Sequence, residues 1–182
     1  MTKKVAKVKS EGVAAKPKAS PKTKGAGAKS KKKVGMKVSP LAPKSYPMMP
    51  GVGGVRFGTT ATKTKYKGRD DLLVATFPEG TSVAGVFTTS KTAAAPVDWC
   101  RAGLENGTAR GLVVNAGNAN AFTGKAGMAT VRATAGALAG EIGSRHKDVF
   151  ISSTGVIGEV LDPAPLEVGI KDALSRPGVS FE

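Results

Sequence analysis

From Val55 onward, short apolar runs alternate with Gly-, Asn- and Ser-rich breaks, the pattern of a chain that switches between strand and helix. Val55–Thr60, Asp71–Phe77 and Ser82–Thr88 predict three strands. Within the second, Leu72, Leu73, Val74 and Ala75 form a continuous apolar run, which implies burial on both faces. Glu79-Gly80 is a short break, so the second and third strands are expected to form a hairpin. A helix is predicted from Pro96 to Glu105. Pro96 suits a first turn, Val97, Cys100, Arg101 and Leu104 recur at helical spacing, and Asn106-Gly107 stops it.

Two βα units follow. Arg110–Val114 reads as a strand, Asn115–Gly124 as a loop, and Met128, Val131, Ala135, Leu138, Ala139 and Ile142 as one face of a helix. Asp148–Ile151 reads as a second strand, Ser152–Gly158 as a loop, and Pro163–Ser175 as a helix with Leu166, Ile170 and Leu174 on its stripe. Asp162 is placed to cap that helix and Pro163 to open it. The fold class is therefore α/β or α+β.

Charge divides the chain. Residues 1–38 hold 13 Lys and one acid, Glu11, whereas residues 39–182 hold 15 basic and 12 acidic residues. All nine aromatics lie in the second part. A Lys/Ala-rich segment without large apolar residues cannot offset its ordering entropy, so residues 1–38 are expected to be a disordered tail preceding a domain over 39–182. Such a tail either solubilises the chain or touches a polyanion such as nucleic acid, which is the alternative function the composition offers. It has neither the apolar core of a signal peptide nor the arginines of a transit peptide, so a cytoplasmic location is expected. No run reaches the ~18 apolar residues of a membrane span. Residues 39–54 read as a Pro/Gly-rich lead-in, and Gly51–Arg56 falls short of a dinucleotide fingerprint because its last glycine is replaced by Arg56.

One Cys and one His leave almost no material for zinc, Ser-His or Cys-His chemistry. Cys100 and Trp99 read as packing residues, and His146, beside Arg145 and Lys147, as an exposed cation after a helix. The two loops after the βα strands carry what remains. Thr154-Gly155 pairs a hydroxyl donor with an unobstructed backbone N–H, a pair able to hold a carbonyl oxygen as it becomes an oxyanion, although a plain turn would use the same residues. Asn115, Asn118 and Asn120 offer amides to a small polar ligand, or to their own loop.

Val114-Asn-Ala-Gly-Asn-Ala-Asn-Ala-Phe-Thr-Gly124 and Ser152-Ser-Thr-Gly-Val-Ile-Gly158 resemble two signatures of the ornithine acetyltransferase family, the bifunctional glutamate N-acetyltransferases of arginine biosynthesis. Gly54-Val-Arg56, Tyr66-Lys-Gly-Arg-Asp-Asp-Leu-Leu73, Ala84-Gly-Val-Phe-Thr-Thr-Ser-Lys-Thr92 and Ala95-Pro-Val97 continue the resemblance across residues 39–182.

The resemblance implies a sandwich of sheets flanked by helices, of N-terminal-nucleophile-like type. It also implies a precursor that cuts itself before a threonine and assembles as an (αβ)₂ heterotetramer. The new N-terminal Thr of the β chain takes acetyl from N-acetylornithine and passes it to glutamate, its own amine serving as base. Some members also accept acetyl-CoA as donor. No prosthetic group or metal is implied. Carried onto this sequence, the oxyanion hole is the Thr154 hydroxyl and the Gly155 N–H. Only 27 residues follow Gly155, and the family's nucleophile lies well beyond them. The expectation is an α-chain portion with no nucleophile of its own, inactive alone. An aminopeptidase, with water as acceptor, remains an alternative outcome of the same machinery.

Overall fold

A computed structural model of the chain describes residues 50–176 together with Pro40, Leu41, Pro43 and Ser45. The expected disordered tail, most of the lead-in and Phe181 lie outside the described residues. The chain divides into the units Met1–Lys44 and Ser45–Glu182, and the architecture is that of the second.

Four strands form one sheet in chain order: β1 (Arg56–Thr60), β2 (Leu72–Thr76), β3 (Gly111–Asn118) and β4 (Val149–Val156). β1 and β2 are antiparallel, β2 and β3 are antiparallel, and β3 and β4 are parallel. Parallel neighbours need a crossover. It is supplied by α2 (Gly124–Ile142), which ends on Gly143 in a left-handed conformation. α1 (Ala95–Gly103) precedes β3 and runs into a single 3₁₀ turn at Leu104–Asn106, and α3 (Ala164–Ser175) follows β4.

The apolar periods become a core on one face of the sheet. Leu72 and Val74 of β2, Val113 of β3, and Val149 and Ile151 of β4 pack against Val131, Ala135, Leu138 and Ala139 of α2 and Leu166, Ile170 and Ala173 of α3. The continuous run of β2 is buried at Leu72, Val74 and Ala75, and half-buried at Leu73, because β1 and β3 enclose it on both sides. α3 approaches the sheet so closely at Gly58 that a Cβ there would strike the Ala173 carbonyl. Asp162 Oδ1 accepts the Ala164 N–H, as expected of a cap, while Pro163 sits one position before the first helical residue. Two buried threonines interrupt the apolar face of α2. Thr130 Oγ1 donates to the Leu161 carbonyl and Thr134 Oγ1 to the Thr130 carbonyl.

Two expectations are corrected. Ser82–Thr88 is not a strand and makes no hairpin with β2. Both edges of β2 are taken by β1 and β3, and the segment keeps a single bridge, Ser82 to Thr108. It runs instead as an extended strap, with Val86 97% exposed. The second correction concerns the two loops. β3 continues through Asn118 and β4 through Val156, so residues 115–118 and 152–156 belong to the sheet. Small and polar residues hide a strand from hydropathy when the neighbouring backbone, not the side chain, holds the ladder together.

Candidate active site

The carboxyl ends of parallel neighbours are where open α/β sheets place ligands. Here β3 and β4 end side by side, with Thr154 opposite Ala116 and Asn118, and Gly155 opposite Gly117. Alternation along β4 puts Phe150, Ser152 and Thr154 on the face away from α2 and α3. Thr154 is exposed, and among the described residues its hydroxyl has no hydrogen-bond partner.

The outer edge of β4 is closed only in its first half. Trp99 Nε1 of α1 donates to the Val149 carbonyl at 2.9 Å. Cys100 Sγ donates to the Ile151 carbonyl at 3.2 Å and accepts the Ile151 N–H at 3.3 Å. The backbone groups of Ile151 therefore point outward, and strand alternation turns the N–H of Ser153 and Gly155 the same way, onto the open edge beyond α1. A free hydroxyl on the open face and an N–H on the open edge thus meet at one corner of the sheet. Gly155 reaches that position with φ +134°, and a Cβ there would collide with the Gly117 backbone. The register shift of β3 against β4 at Gly117–Asn118 accompanies this contact.

The asparagines lie beneath this corner. Asn115, Asn118 and Asn120 are 4%, 8% and 1% exposed. Asn115 Nδ2 donates to the Asn118 carbonyl, and its Oδ1 accepts from Ser153 Oγ of β4. Asn118 Nδ2 donates to the Glu159 carbonyl, and its Oδ1 accepts the Asn120 N–H. Asn120 Nδ2 donates to the Gly127 carbonyl, and its Oδ1 accepts from Thr123 Oγ1. Their amides are therefore engaged with the protein. Backbone bonds from Ala119 N to the Val156 carbonyl, and from Gly158 N to the Ala121 carbonyl, clasp the two chain segments together. Asn120 and Phe122 hold positive φ values of 47° and 56°, a conformation asparagine tolerates and phenylalanine resists. Phe122 is 70% exposed, and Ile157 and Val160, after β4, are 64% and 59% exposed. No hydropathy or spacing signal pointed to Phe122, because only the backbone path makes it unusual.

The remaining candidates fall elsewhere. His146 is exposed, with its imidazole over Gly136 of α2. Cys100 is buried, and burial pushes its thiol up despite the bond to Ile151. At the opposite end of the sheet, Asp148 accepts two bonds from Arg145, at 2.8 and 2.9 Å, and one from Thr108. These bonds, those from Arg145 foremost, hold its carboxyl below the ordinary carboxylate range against the opposing effect of burial. Among the described residues no group of three or more His, Cys, Asp or Glu gathers at one point. An apolar groove of about 360 Å³ runs between the strap and the first half of β4, ending at Ser152 and Ser153, just short of Thr154.

The ArgJ family model matches residues 56–180. The arginine biosynthesis bifunctional protein of Agrobacterium fabrum is 55% identical over 144 residues, covering 79% of this chain and 35% of that protein. The corresponding protein of Bradyrhizobium diazoefficiens is 55% identical over 125 residues, covering 69% of this chain and 30% of that protein. The chain thus spans about a third of the length of these curated relatives. Among solved structures, the ornithine acetyltransferase of Mycobacterium tuberculosis, complexed with ornithine, superposes with a TM-score of 0.64. It is 34% identical over 67% of this chain and 66% of that one. The bifunctional arginine biosynthesis protein of Bacillus halodurans gives the same TM-score, 0.64, at 31% identity over 69% of this chain and 65% of that one. The mixed sheet flanked by helices is the fold of these enzymes. With a family model spanning well over half of its residues and relatives more than half identical to it, the chain belongs to the ArgJ family.

Proposed function

We propose that this chain is the α portion of a cytoplasmic acetyltransferase that moves acetyl from N-acetylornithine to glutamate, with the nucleophilic threonine on a separate β chain. One observation carries the reading: the unpartnered Thr154 hydroxyl and the outward Gly155 N–H meet at an uncovered corner where two parallel strands end. The acetyl carbonyl oxygen lies between these two donors. The β-chain threonine oxygen attacks the acetyl carbon as its own N-terminal amine takes the hydroxyl proton. The carbonyl π electrons move onto oxygen, where Thr154 and Gly155 receive the charge. The intermediate then collapses, expelling ornithine, whose departing amine takes up that proton. Glutamate's neutral amine attacks the acetyl-threonine through a second oxyanion in the same place. N-acetylglutamate leaves, and the threonine oxygen regains a proton from the attacking amine.

In this reading Asn115, Asn118 and Asn120 are positioning residues. They hold the 118–123 and 153–159 backbones against each other, and with them the direction of the Gly155 N–H. The exposed Phe122, Ile157 and Val160, on the chain segments that follow β3 and β4, support a covering partner, as in an (αβ)₂ assembly. The donor pair itself distinguishes thioester from amide donors no further, so acetyl-CoA is a second donor to assay.

The test is coexpression of the 182-residue chain with the complementary C-terminal part of the Agrobacterium fabrum relative, followed by an assay of ornithine release from N-acetylornithine and glutamate. The assembled enzyme is expected to turn over, and Thr154→Val to lower kcat by roughly 10²–10³. The 182 residues alone are expected to release none. Turnover by the chain alone, or an unaffected Thr154→Val enzyme, would overturn the assignment.

A further inference from the structure

The loop between β1 and β2, residues 61–71, packs against β3 at the point where β3 touches Gly155. A Cβ on Gly117 would lie 2.7 Å from Lys65 Cβ and 3.3 Å from Tyr66 Cε2. A Cβ on Gly155 would strike the backbone of the same Gly117. The loop, Gly117 and Gly155 therefore follow one another in direct contact, without room for a methyl group at either junction.

Gly117 has little of its own to hold it there. It lacks a side chain, its φ is +115°, and the ladder between β3 and β4 shifts register at Gly117–Asn118. The loop supplies the missing support, because it is tied on both sides of this residue. At its base the Asp71 carbonyl accepts the Ala116 N–H at 2.8 Å, and Asp71 Oδ1 accepts the Thr62 N–H at 2.6 Å. Farther along, Lys65 Nζ donates to Glu159 Oε2 at 3.0 Å, and the Glu159 carbonyl accepts from Asn118 Nδ2 at 2.9 Å. The loop is thus bonded to the residue before Gly117 and, through Glu159, to the residue after it. Tyr66 is fixed in turn by Arg69, whose guanidinium carbon lies 3.5 Å from the ring centre. A shift of Gly117 would be passed to Gly155 and would turn its N–H.

We propose that Tyr66 is a positioning residue for the oxyanion: its ring backs Gly117, and through Gly117 it holds the Gly155 N–H in direction. The inference rests on the acetyl-transfer reading for its effect on catalysis, but the contact itself is testable without turnover. An oxyanion donor acts on the transition state, so lost support belongs in kcat and not in substrate binding. The contact is made by a ring carbon, so Tyr66→Phe keeps it and Tyr66→Ala removes it.

NMR of the isotopically labelled chain tests the contact, through the Cα resonances of Gly117 and Gly155, which report backbone dihedrals. Tyr66→Ala is expected to shift both while leaving Thr108 and Asp148, at the other end of the sheet, in place. Tyr66→Phe is expected to match the unsubstituted chain. An unmoved Gly155 resonance in Tyr66→Ala would overturn the proposal. In the coexpressed enzyme, Tyr66→Ala is expected to lower kcat for ornithine release by roughly 10- to 100-fold, as a misplaced group does, with KM for N-acetylornithine unchanged and Tyr66→Phe restoring the rate. An undiminished kcat, or a raised KM in its place, in an enzyme that Thr154→Val cripples, would also overturn it. A harmless Thr154→Val would instead bring down the transfer reading, and the Gly155 resonance would then decide the contact alone.

Discussion

Gly155 answers two demands at once. In the proposed reading its N–H serves on the open edge of β4, and its α-carbon lies against the Gly117 backbone with φ +134°. A side chain is excluded by both contact and conformation, so the residue is glycine for steric reasons before any chemistry is considered. Thr154 is its opposite: exposed, unpartnered and sterically free. The two should therefore separate in stability measurements. Gly155→Ala is expected to cost about 1–3 kcal/mol, as strained backbone positions do, and Thr154→Val to stay within about 0.5 kcal/mol, as exposed substitutions do. Urea unfolding of the two variants checks this. A neutral Gly155→Ala would mean that β3 and β4 yield at the register shift.

At the scale of elements, the informative contact is α1 against the edge of β4. An exposed edge strand is a hazard that proteins cover or interrupt. Here the cover consists of two side chains: Trp99 donates to the Val149 carbonyl, and Cys100 both donates to the Ile151 carbonyl and accepts its N–H. It stops where the donor pair begins. The Cys100 thiol is buried, and its pKa is raised by that burial. Since the thiolate is the reacting species, native chain at neutral pH is expected to resist iodoacetamide and to be alkylated at once in denaturant. Mass spectrometry counts the single adduct, and rapid native labelling would show that α1 lifts from the edge. The helices were legible from apolar spacing because each has one face on the core. The strap was not, since Val83, Val86 and Phe87 have the composition of a strand. Whether such a segment pairs depends on a vacant neighbour, and β1 and β3 had already occupied both sides of β2.

For the whole molecule, the two ends of the sheet do different work. The carboxyl end of the parallel pair is open and carries the donor pair. The other end is tied by Arg145, Asp148 and Thr108. On the donor-pair end, at the far side of the sheet, Asp172 of α3 is bound to Thr60 of β1 and to Arg176. Asp148 and Asp172 are both held below the ordinary carboxylate value, the first chiefly by Arg145 and the second chiefly by the Thr60 hydroxyl. A depressed folded pKa stabilises the fold above the unfolded value and loses that contribution as pH falls through the folded one. Stability is therefore expected to decline on acidification below about pH 4, where unfolded carboxylates take up protons. Asp148→Asn should shallow this acid limb while lowering stability at neutral pH. Thermal melts across the acid range measure both, and an unchanged limb would place the linkage on other carboxyls.

The sequence by itself determined the helices, the order of the βα units and the family. Each of these is written in local spacing or in a contiguous motif, where neighbours along the chain suffice. The tertiary structure alone decided how far β3 and β4 run, that Ser82–Thr88 is a strap, that the asparagines are bonded to the 118–127 and 153–159 segments around them, and that Phe122 is held out on a strained loop. These depend on which backbone lies alongside which, across separations such as the 38 residues between Ser153 and Asn115. Hydrogen bonds and steric contacts at that range leave no periodicity in the chain, because the partner is fixed by packing and not by sequence distance.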